Sequence, residues 1–133
     1  MLSIFFTRGV SKTIKVACAS NFNKKHARPR SSGTVILITQ GRPYPWLDYD
    51  QWIRVLSPNK EMKDRWMHSK KTEKDWQLYE RDFNAWINRQ EASAMIEQLA
   101  TRSCDGEIIT LLCYCRLGQH CHRDIVKTLI EKY

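Results

Sequence analysis

Apolar positions along the chain switch between two periods, and the switches lay out strands and helices in turn. Thr13 to Ala19 (TIKVACA) alternates and is rich in β-branched residues, which predicts a strand. Thr34 to Thr39 (TVILIT) is a continuous apolar run, as expected of a strand covered on both faces. Glu107 to Cys115 reads the same way after the Asp105-Gly106 turn. Leu2 to Thr7 is a shorter apolar run and predicts an edge strand. Trp46 to Leu56 is aromatic and mixed, the pattern of a short helix or an extended segment.

Helical spacing takes over between these runs. Ser57-Pro58 has the pattern of an N-cap followed by proline at the first helical position, with a helix running to about His68. Thr72 and Asp75 form a capping-box pattern, and Trp76, Tyr79, Phe83, Trp86 and Ile87 follow on one stripe, which predicts a helix over 73–88. Ala92, Met95, Ile96 and Leu99 mark another over roughly 90–101. Ile125, Val126, Leu129 and Ile130 mark a last helix opened by Cys121 or His122. Strands mixed with helices predict a single α/β domain over 1–133, with a small, mostly parallel sheet covered by helices in a Rossmann-like three-layer arrangement.

Composition changes this picture in two ways. Hydrophobic residues make up 42% of the 133, enough for a packed core. Twenty-two Lys and Arg against 14 Asp and Glu leave a net charge of +8, which favours an anionic small molecule, a nucleotide or nucleic acid as partner, or serves solubility alone. Much of the charge sits in 20–33, a basic loop with the composition of a mobile segment, carrying Lys24, Lys25, His26, Arg28 and Arg30. No apolar run approaches the ~18 residues of a membrane span, and Leu2 to Phe6 is too short for the apolar part of a signal peptide. Five cysteines, an odd number with three crowded at Cys113, Cys115 and Cys121, suit free thiols in a reducing compartment, hence a cytoplasmic protein.

The chemistry-bearing residues concentrate in ITLLCYCRLGQHCHR, from the last strand into the last helix. On a strand, Leu112 and Tyr114 face one way and Leu111, Cys113 and Cys115 the other. A helix N-terminus attracts anions and lowers the pKa of a cysteine placed there. Cys121 is therefore a candidate nucleophile, with His120 or His122 as proton carrier and Arg123 as a forked anion donor. In open parallel sheets ligands sit beyond the carboxyl ends of the strands, so parallel strands would gather Arg28, Arg30 and Arg123 at one rim as an anion pocket with Cys113 and His120 nearby. Zinc is the competing use of these thiols and imidazoles. On a straight strand, however, the sulfurs of Cys-x-Cys stand ~6–7 Å apart, against ~4 Å in a tetrahedral zinc site. No residue is assigned to a metal on this ground. The competing readings are a nucleic-acid-binding protein without catalysis and a partner-binding protein with a structural Cys/His cluster. Cofactor and oligomeric state are left open by the sequence.

The same residues carry a family resemblance. Leu111-Leu112-Cys113 closing a strand and Cys121-His122-Arg123 opening a helix resemble the domain-of-unknown-function 488 family. Ser57-Pro58-Asn59-Lys60-Glu61 before the paired helices, and Trp76 and Tyr79 ahead of Phe83, resemble it too, so that the likeness runs from roughly Thr13 to Lys132. Many members carry an acid two residues after the first cysteine, where this chain has Cys115. The family's Asp-x-Arg-like segment has no clean match here, and Asn21 to Arg30 stands in its place. The resemblance implies an α/β fold and no particular reaction.

Overall fold

The computed structural model describes residues 13–133, so the expected strand over Leu2 to Thr7 lies outside the described residues. Four strands pair in one sheet: β1 (Ile14–Cys18), β2 (Thr34–Leu37), β3 (Gln51–Trp52) and β4 (Ile109–Cys113). Their spatial order is β1-β4-β2-β3 and every pairing is parallel. β4 is buried at all five positions because it runs between β1 and β2, paired on both edges and covered on both faces.

Among the described residues there are four α-helices: α1 (Lys60–Met67), α2 (Glu73–Ile87), α3 (Gln90–Cys104) and α4 (His122–Lys132). Their apolar stripes meet Ile14, Ile36, Ile38, Ile109 and Leu111 in the main core. The opposite face carries Val35, Leu37 and Leu112, covered by Ala19, Phe22 and Leu47 from the connecting segments. Alternate residues of β2 and β4 thus serve two cores, as the period of a strand requires. The protein is a mixed α/β fold consistent with a three-layer arrangement around an all-parallel sheet. Among the described residues no helix is long and apolar enough to cross a membrane.

Local chemistry sets the element ends. Thr72 and Asp75 make the expected capping box: the Thr72 hydroxyl accepts from the Asp75 N–H and the Asp75 carboxylate from the Thr72 N–H, each at 3.1 Å. The first helix departs from expectation. It begins at Lys60, and the cap is Asn59, whose side chain accepts from the Met62 N–H at 2.9 Å. Ser57 is drawn into tertiary contacts instead, its carbonyl accepting from the Trp86 indole N–H at 2.9 Å. Trp46 to Leu56 resolves into the short β3 and a 3-10 turn at Arg54–Leu56.

Gly33 turns the basic loop into β2 with φ +61°. A Cβ there would stand 2.3 Å from the Ile108 carbonyl oxygen, so only glycine lets the loop approach β4 this closely. The loop is tied down on its other side as well. Arg28 reaches Asp48 and Asp50, each at 2.6 Å, and Asp50 accepts from the Val35 N–H at 2.8 Å.

Candidate functional site

β1, β2 and β4 are parallel and end together, and the residues that follow them meet at one rim. Arg123, in the first turn of α4, is fully buried beneath that rim (0% exposed). Its Nη1 donates to the carbonyls of Ala17 at 3.0 Å and Cys115 at 2.9 Å, and its Nη2 to that of Arg116 at 3.1 Å. The guanidinium therefore binds the end of β1 to the chain leaving β4. Its Nε has no hydrogen-bond partner among the described residues.

This clamp accompanies a departure from the expected strand. β4 ends at Cys113 rather than Cys115, and the chain turns away. The sulfurs of Cys113 and Cys115 consequently lie 3.9 Å apart. The ~6–7 Å spacing of a straight strand does not apply, and with it goes the distance argument against a metal.

Cys121 caps α4 from below, and its Sγ lies 3.6 Å from His122 Nδ1. His122 Nε2 lies 2.5 Å from the Ile38 carbonyl oxygen, which can only accept. The Nε2 therefore carries the ring proton, and the lone pair on Nδ1 faces the sulfurs. The ligand atoms of Cys113, Cys121 and His122 all fall within 4.8 Å of one another. All three residues are buried, whereas Cys115 is half-buried and opens towards solvent.

Electrostatics follow from this packing. Burial pushes the His122 imidazole down to about 4, so the ring is neutral at neutral pH. The sulfur contacts divide the thiols. Hydrogen bonds from Cys113 and Cys121 hold the Cys115 thiol below its ordinary value, while the contact with Cys115 raises Cys113 to about 11. Cys121 is raised by both sulfur neighbours, with burial adding to the effect. Tyr79 is raised chiefly by burial and then by the nearby cysteines. It belongs to an aromatic ladder along α2 that backs the cluster, stacked on Trp76 at 5.2 Å and on Phe83 at 6.0 Å.

The other residues singled out by sequence fall elsewhere. Arg28 and Arg30 do not join Arg123. The Arg30–Ser32 turn packs at the opposite, amino-terminal edge of the sheet, where the Ser32 carbonyl accepts from Thr110 at 2.7 Å. The reason is that the loop crosses back to start β2, and Asp48 and Asp50 hold Arg28 there. His120 lies outside the sulfur cluster, stacked on Trp76 at 4.4 Å with Glu73 at 3.6 Å. It borders a groove of about 300 Å³ between α2 and α4 whose lining includes Glu80 and Asp124. Lys132 lines it as well, so the groove is of mixed charge rather than an anion pocket.

Two features of the rim escape a local reading of the sequence. Cys115, a departure from the family pattern, joins the sulfur cluster. Tyr114, just before it, faces the other way and meets Tyr44 edge-on at 5.3 Å, with Trp46 stacked on Tyr44 at 5.8 Å. Tyr44 is 57% exposed, so this is an open aromatic platform at the same rim, joined to Cys115 through its chain neighbour Tyr114. Lys24 lies next to it, its N–H donating to the Trp46 carbonyl at 2.9 Å. Pro43 and Pro45 around Tyr44 were the available signal, marking a segment held extended rather than packed.

A parallel α/β domain with a thiol–imidazole cluster beyond the carboxyl ends of its strands is the class that fold and site define. Within that class, the chain belongs to the DUF488 family: residues 14–133 match DUF488-N3a, described as the active DUF488-N3 subclade. No curated protein and no solved structure matches it.

Proposed function

We propose that the protein binds a nucleotide unit, free or within a single strand of nucleic acid, on the carboxyl-end rim of its sheet, and that the cysteine–histidine cluster is the reactive part of that site. The open stack of Tyr44, Trp46 and Tyr114 next to Cys115 carries this reading. Exposed aromatic rings give a base a face to stack on, and a chain of net charge +8 favours the phosphate. Position supports it too, since open parallel sheets take ligands beyond the carboxyl ends of their strands.

The roles shift from those expected of the sequence. Cys121 and His122 are buried at 3% and 6% exposure, so Cys115 is the sulfur a ligand on the platform would meet first. Arg123 serves the rim from beneath through three carbonyls. A second reading, a partner-binding protein whose Cys/His cluster only braces the fold, is favoured by the burial of Cys113, Cys121 and His122.

Calorimetric titration with adenosine monophosphate and with a short single-stranded oligonucleotide tests the proposal. Base stacking is worth ~1–3 kcal/mol per base, so Tyr44→Ala or Trp46→Ala should weaken binding roughly 5- to 150-fold. Oligonucleotide affinity should fall steeply with salt. No binding of either probe at low salt would contradict the proposal, as would binding that both variants leave unchanged.

A further inference from the structure

We propose that Cys113, Cys115, Cys121 and the Nδ1 of His122 form a four-coordinate site for a thiophilic divalent cation, with zinc the best fit. This inference leaves the nucleotide platform untouched and replaces the reading of the cluster as free reactive thiols, since a four-coordinate site engages all three sulfurs.

Three independent observations support it. The first is distance. A tetrahedral centre with zinc–sulfur bonds of ~2.3 Å places its sulfurs about 3.8 Å apart, and Cys113 and Cys115 stand at 3.9 Å. The ligand atoms of Cys113, Cys121 and His122 are within 4.8 Å of one another, so closure by up to about 1 Å brings them to bonding positions, with Cys115 joining the set through Cys113.

The second is the histidine. A ligating imidazole characteristically donates its other ring N–H to a carbonyl or carboxylate, which fixes the tautomer and aims the ligating lone pair. His122 has that arrangement: Nε2–H is engaged by the Ile38 carbonyl at 2.5 Å, and Nδ1 faces the sulfurs.

The third is charge. Arg123 is completely buried, yet its partners are all neutral carbonyls, and Nε has none. A buried cation without a counter-charge is costly. Zinc binding would leave a centre of net charge −1, formed by three thiolates, one neutral imidazole and the dication, the thiol protons still present being released to solvent. That charge would sit at the start of α4, whose first turn carries Arg123. Zinc and cobalt(II) suit this sulfur-rich donor set, whereas magnesium and calcium prefer oxygen.

The test is anaerobic titration of the reduced full-length protein with cobalt(II), followed by zinc. The expected result is one equivalent bound, with the intense visible bands of tetrahedral cobalt, thiolate-to-cobalt charge transfer in the near ultraviolet, and displacement by one equivalent of zinc. Cys115→Ser, at the half-buried rim position, should weaken binding about 10-fold or more, and Cys104→Ser, an exposed site on α3, should not. Alkylation mapped by mass spectrometry on the unaltered chain removes any dependence on variant folding: zinc should protect Cys113, Cys115 and Cys121 while Cys104 still reacts. Octahedral cobalt, no stoichiometric binding, or equal alkylation with and without zinc would overturn the proposal. Metal binding without nucleotide binding, or the reverse, separates its fate from that of the ligand reading.

Discussion

Arg123→Met isolates the clamp beneath the rim. Methionine keeps an apolar stem of similar reach and deletes the guanidinium, so three carbonyls lose their donor. The carbonyls of Cys115 and Arg116 belong to the chain leaving the sheet, and water can replace the guanidinium at modest cost. The part-buried Ala17 carbonyl at the end of β1 also loses its donor, and an unsatisfied buried acceptor costs ~1–3 kcal/mol. Releasing the 115–121 connection adds a further ~1–2 kcal/mol of lost packing at the cluster. Relief from burying a charge offsets part of this sum. The net expectation is a loss of ~2–4 kcal/mol, a large share of the ~5–15 kcal/mol available to a domain. Equilibrium urea unfolding measures it, with an unchanged m-value showing that the two end states keep their compactness. Arg123→Lys should recover only part of the loss, because one ammonium cannot span the three carbonyls. Stability of Arg123→Met within about 0.5 kcal/mol of the parent would refute the clamp and place the organisation of the rim in apolar packing alone.

Three further outcomes follow from the geometry. Gly33→Ala sets a Cβ against the Ile108 carbonyl at a positive φ, and should cost more than ~2 kcal/mol in thermal or urea unfolding. Thr72→Ala removes one half of the capping box and should cost ~1 kcal/mol, read by the same unfolding assay. Hydrogen bonding to Arg102 holds Glu107 at about 2 instead of its ordinary 4.5, so this pair contributes stability above pH 4.5 and loses it as pH falls from 4.5 towards 2. The pair is partly exposed, so the effect should be ~1 kcal/mol or less and absent from that window in Glu107→Gln.

Much of the fold was legible along the chain because its signals are local. TVILIT and the apolar run before Cys113 read as buried strands since both faces of a central parallel strand are covered. Thr72 and Asp75 read as a helix start since a capping box closes within one turn. The misplaced features depend on distant partners. The Ser57 hydroxyl donates to the Arg54 carbonyl at 2.6 Å and its own carbonyl accepts from Trp86, 29 residues on, while Asn59 caps α1. Arg28 is held at the amino-terminal edge by Asp48 and Asp50, 20 and 22 residues away, which no local pattern announces.

The candidate site divides the same way. Cys113, Cys121, His122 and Arg123 were visible as residues, and their convergence at the junction of β4 and α4 was expected. The end of the strand at Cys113 was not, because it accompanies the contact of Arg123 with the Cys115 carbonyl, eight residues apart. That one turn converts a spacing unsuited to a shared ligand into a pair of sulfurs 3.9 Å apart.

The central claim is that the functional site lies at this rim. Amide chemical-shift mapping of the isotope-labelled protein with adenosine monophosphate tests it most directly. The account predicts the largest shifts at Tyr44, Trp46, Tyr114, Cys115 and Arg116, with smaller ones at the start of α4. Shifts centred on Trp76, Glu80 and Thr128, around the groove between α2 and α4, would contradict it, as would no saturable shift at all.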